Sequence, residues 1–165
     1  MKAIIFALLV FLPGLPLPAA TVVAEPFPPA QFKSLYIERD DKGSSVVVQW
    51  TGDALSYKVT VLNKIQESLT VHPSDDDWLK FIQGLNAAKV YKWAPKYEYP
   101  GQGETWAIDL VMDDRTFTSE GTNEYPKNGD ESQPAADPKA GVSIPFNLFW
   151  QALLELVGKV PPPPK

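Results

Sequence analysis

Two adjoining stretches decide the fold: LYIERDDKGSSVVVQWTGDALSYKVTVL, Leu35–Leu62, and SDDDWLKFIQGLNAA, Ser74–Ala88. In the first, Leu35 to Arg39 reads as a short strand and Asp40-Asp41-Lys42-Gly43 as a turn, with Gly43 free to adopt a left-handed conformation. Ser45 to Thr51 alternates strictly, with Val46, Val48 and Trp50 on one face and Val47, Gln49 and Thr51 on the other. A period of two rich in β-branched residues is a strand signature. Gly52-Asp53 punctuates. Tyr57, Val59 and Val61 then alternate with Lys58, Thr60 and Leu62, so the three strands read as a β-meander.

The second stretch changes period. Trp78, Phe81, Ile82, Leu85 and Ala88 recur every three or four residues, which gives one apolar helical stripe. Ser74 is placed to cap this helix. Asp75, Asp76 and Asp77 fill its first turn, where the helix dipole favours negative charge, and Asp77 completes a near capping box. Gly84 interrupts the stripe at a cost of about 1 kcal/mol relative to Ala, which points to close packing or simple tolerance.

Beyond the helix, Tyr91 to Tyr99 is aromatic and irregular, with Pro95 and Pro100 as breakers. Thr105 to Met112 alternates, with Trp106, Ile108, Leu110 and Met112 inward and Asp109 outward. Asp113-Asp114 turns the chain into Arg115–Ser119, which makes a second hairpin. Lys127 to Gly141 is polar and reads as a mobile loop. A last helix is expected from Ile144 to about Val157, with Ser143 as cap, Pro145 in the first turn and Gly158 as stop. The order βββ-α-ββ-α implies an α+β fold: an antiparallel sheet of about five strands with two helices on one face.

The N-terminal residues carry an address. Lys2, the apolar run Ala3–Leu12, the break Pro13–Pro18 and the small-residue end Val22-Val23-Ala24 have the order of a secretory signal peptide. The run is too short to span a bilayer, which needs roughly 20 apolar residues. The organisation expected is a signal peptide over 1–24 cleaved after Ala24, a proline-rich lead-in over 25–32, one domain over 33–160 and a proline-rich tail over 161–165. The product is secreted or periplasmic and not stably inserted in a membrane. It has no cysteine, hence no disulfide, thiolate site or lipid-modified N-terminal cysteine. Net charge is −5, and loss of Lys2 lowers it by one. An acidic chain without a Lys/Arg cluster argues against nucleic acid or anionic lipid as partner.

Residues that carry chemistry are few. His72 is the single histidine and has no nucleophile motif beside it, so no catalytic residue, metal site or cofactor is assigned. The Asp75–Asp77 and Asp113-Asp114 clusters lack the alternating ligand pattern of a calcium loop. Gly101-Gln102-Gly103 lacks the third glycine and following helix of a dinucleotide site. Asp109, with Glu120 or Glu124, has the composition of a general acid/base pair, provided the outward sheet face is concave. The densest constellation is aromatic: Trp93, Tyr97, Trp106, Asn123 and Tyr125. It reads either as packing that locks the second hairpin to the loop after the first helix, or as the lining of a small pocket for an apolar or sugar-like ligand.

The spacing of these residues resembles a widespread family of uncharacterised bacterial and plant proteins. Its pattern is a tryptophan-bearing helix, W-x3-Y, an Asp-Gly turn into a tryptophan-bearing strand, and G-x-N-x-Y-P before a C-terminal helix. Here these are Trp78, Trp93 to Tyr97, Gln102-Gly103 with Trp106, and Gly121-x-Asn123-x-Tyr125-Pro126. The resemblance runs from Trp78 to Leu156. Gln102 stands where Asp is expected, and the 127–141 stretch is longer. The resemblance implies one compact domain and no known activity. The functional expectation is an exported, non-enzymatic binding module for a small molecule or protein. The alternatives are a secreted inhibitor or envelope structural factor, and a hydrolase using paired carboxylates.

Overall fold

A computed structural model describes residues 32–50, 52–101, 103–113, 115–127, 132–134 and 142–159. The expected signal peptide, residues 25–31 of the expected lead-in and the expected 161–165 tail lie outside the described residues, as does most of 128–141; Phe32, placed by the sequence reading at the end of the lead-in, is instead paired strand.

The class is α+β, as the two periodicities imply. The first three strands are β1 (Phe32–Asp41), β2 (Ser44–Trp50) and β3 (Leu55–Val61), paired antiparallel in register Ile37↔Val48↔Tyr57. A fourth strand, β4 (Lys64–Val71), extends the meander and was not expected. Its alternation is hidden by a register shift: Thr60 faces Ile65 while Val59 faces Glu67, so Gln66 is an extra residue. Such a bulge reverses the apparent phase of the side chains. Ile65 lies with Thr60 on the open side, while Leu69 and Val71 face the core. The β1–β2 and β3–β4 connections are two-residue turns, Lys42-Gly43 and Leu62-Asn63, with all four φ values between 48° and 79°. That is the geometry whose twist matches paired strands.

Helix α1 (Asp75–Ala87) begins at the expected capping box. Ser74 Oγ accepts from the Asp77 amide at 3.3 Å, and the Asp77 carboxylate accepts from the Ser74 amide at 2.9 Å. A short 3-10 turn, Val90–Lys92, leads to β5 (Lys96–Glu98), which pairs parallel with the later β7. Strands β6 (Thr105–Met112) and β7 (Thr116–Thr122) form the second hairpin. Among the described residues the main sheet has seven strands in the order β4-β3-β2-β1-β6-β7-β5, so the expected antiparallel sheet of about five strands is approximate in count and in the parallel β5–β7 pair. A small pair, β8 (Glu124–Pro126) with β9 (Ser132–Pro134), precedes α2 (Ile144–Leu156). Within the 127–141 stretch, then, Ser132–Pro134 is paired backbone.

Both helices bury their apolar sides against one sheet face. Phe81, Ile82 and Leu85 of α1 and Phe146, Phe149, Leu153 and Leu156 of α2 join Leu35, Ile37, Val48, Leu55, Trp106, Ile108 and Leu110 in one core. The helices cross where Gly84 meets Ala152. A Cβ on Gly84 would overlap the Ala152 Cβ, so the glycine is required by contact. Gly84→Ala gains about 1 kcal/mol of helix propensity, but overpacking of a fixed crossing costs roughly 1–3 kcal/mol. A net loss of up to about 2 kcal/mol in urea unfolding is the expected result. The double variant Gly84→Ala/Ala152→Gly should return close to the parent midpoint.

Candidate functional site

The aromatic constellation assembles as the alternation of β6 and the Gly121–Pro126 segment dictate. Trp106 points inward from β6, directly opposite Gly121 on β7. A Cβ on Gly121 would run into the Trp106 indole, so the ring occupies the space that a side chain there would need. The indole N–H donates to the Glu124 carbonyl at 2.8 Å. Around it, ring centroids lie 5.9 Å away for Trp93, 5.9 Å for Tyr97 and 5.1 Å for Phe146 of α2, and Tyr125 packs tilted against Phe146 at 4.8 Å.

Asn123 sits at the corner between β7 and β8 with φ at 54°, a left-handed value that Asn tolerates. Its amide donates to the Gly101 carbonyl at 2.9 Å, and its backbone N–H to the Glu104 carbonyl at 2.8 Å. Gly103 is pressed against the same amide, where a Cβ would overlap Oδ1. Asn123 thus staples the 99–104 turn to the second hairpin. The loop before it is fixed as firmly: the Ala94 amide donates to the Tyr97 hydroxyl at 2.8 Å, and Ser119 Oγ donates to the Ala94 carbonyl at 2.7 Å. Trp93, Tyr97, Trp106, Asn123 and Tyr125 are brought together, but they are only 2–6% exposed and they line one another.

The structure adds a charged cluster centred on Arg39. Arg39 follows Leu35 and Ile37 on the core face of β1, so alternation carries its guanidinium under α2. It forms a two-pronged ion pair with Glu104, in which Nε bonds Oε1 and Nη2 reaches Oε2 at 3.2 Å. The same group lies over the Trp150 ring at 5.2 Å and the Phe146 ring at 5.8 Å. Tyr125 completes the cluster, bonding Glu104 and Arg39. Burial, then the neighbouring Glu104 carboxylate, pushes the Tyr125 phenol well above the ordinary tyrosine value.

The paired-carboxylate residues divide. Asp109 and Glu120 share the open face of the sheet. Asp109 is opposite Thr118 and Glu120 is opposite Ala107, so the two are diagonal neighbours with Cα atoms roughly 7–8 Å apart. Glu124 lies past the Asn123 corner, in the other sheet. His72 is at the surface, its Nδ1 3.2 Å from the Asp53 carbonyl. Among the described residues, no group of three or more His, Cys, Asp or Glu side chains is placed to hold a metal ion, and no helix is long and apolar enough to cross a membrane.

The same open face carries a recess of about 290 Å³ at its β1-β6-β7-β5 end. Register explains it. Glu38, Ala107, Glu120 and Lys96 form one row across the four strands. Ala107, between Glu38 and Glu120, is too small to fill the row. Glu98, Thr105 and Thr122 complete the rim. The rim thus holds three carboxylates and one ammonium, and that ammonium, Lys96 Nζ, rests on Glu98 Oε1 at 3.2 Å. Glu38 accepts from the Tyr36 hydroxyl at 2.7 Å. No family model matches the chain, and no curated protein matches it.

Two outcomes follow from this packing. Gly121→Ala must displace a buried indole, so urea unfolding should show a loss of about 3 kcal/mol. A phenol whose folded pKa is raised stabilises the fold below its unfolded value and loses that contribution as pH rises through the folded one. Stability should therefore fall above pH 10, the ordinary tyrosine value. Tyr125→Phe should flatten most of that fall in urea midpoints between about pH 8 and pH 11, and Tyr36 and Tyr57, also raised, should account for the remainder.

Proposed function

We propose that the chain is an exported, non-enzymatic binding module whose ligand seats in the open-face recess and carries ammonium or guanidinium groups. One observation carries this reading: the recess is a concave interruption of a polar sheet face, walled by Glu38 on one side and Glu98 and Glu120 on the other. Opposite charge at the rim raises the local concentration of a cationic ligand, and the Thr105 and Thr122 hydroxyls supply hydrogen-bonding groups. The buried aromatic cluster, in this reading, is the foundation that holds the floor: Trp106 and Gly121 belong to both. The export half of the proposal rests on the leader-like order of residues 1–24.

Binding is favoured over carboxylate catalysis because Asp109 and Glu120 are both exposed, with no wall of the fold to exclude water from a reaction between them. The test is isothermal titration with spermidine. Binding is expected to weaken as ionic strength rises from about 0.01 M to 0.15 M, where the screening length shrinks from roughly 30 Å to 8 Å. It should be lost in Glu38→Gln/Glu120→Gln and kept in Asp75→Asn/Asp76→Asn, whose carboxylates sit at the start of α1. Absence of a binding heat, or equal heats in both variants, overturns the assignment.

A further inference from the structure

We draw no further inference here: the strongest candidate, the exposed aliphatic pair Leu62 and Ile65 at the β3–β4 hairpin tip, is an apolar surface patch, and nothing in the structure shows what covers it.

Discussion

The contact between the Trp106 indole and Gly121 is the constraint on which the second half of the molecule depends. The ring fills the place of a missing side chain on the neighbouring strand. Its N–H reaches past that strand to the Glu124 carbonyl, and so fixes where the chain bends from the main sheet into β8. Once this bend is set, Tyr125 lands on Phe146 and α2 is drawn over the end of the sheet. A buried indole N–H without a partner would be costly, so the hydrogen bond and the ring packing act as one requirement. Among the described residues, no buried side-chain nitrogen or oxygen lacks a partner. In a core this rich in tryptophan and tyrosine, that is the condition for a single packed arrangement.

Arg39 and Glu104 act differently. Taking two charges out of water is expensive, and the attraction between them repays that only with good geometry and further hydrogen bonds. Here the guanidinium is doubly bonded to the carboxylate, lies over two rings and meets the Tyr125 hydroxyl. These groups come from four segments: β1, the turn ending at Glu104, β8 and α2. The cluster therefore contributes alignment of four segments more than net stability.

Much of the architecture is legible from local pattern, and the gaps have physical causes. Val46, Val48 and Trp50 announce β2, and Ser74 with Asp77 announces α1, because each signal is contained within a few residues. β4 escapes because its bulge at Gln66 breaks the alternation. β5 escapes because it is three residues between prolines, with a parallel partner far along the chain. Arg39 had a readable signal, since the spacing Leu35, Ile37, Arg39 puts a charge on a core face. The aromatic residues are legible as a group, but local pattern leaves packing and pocket lining both open. The recess was not legible, because it depends on Ala107 lying between Glu38 and Glu120, a neighbourhood created by strand pairing alone.

The central position of β1 has a kinetic consequence. On one side it pairs with β2, whose turn follows immediately; on the other it pairs with β6, as in Leu35↔Leu110, across most of the domain. The meander β1–β4 closes through short local loops, whereas β6 and β7 must find their place after a long excursion through α1. Contacts of high sequence separation slow folding because chain entropy is lost before they form. The molecule thus divides into a half that can assemble early and a half that joins late along a single strand edge. Until β6 docks, β1 presents that edge to the solvent, and the interval is when the chain is most open to pairing with a copy of itself.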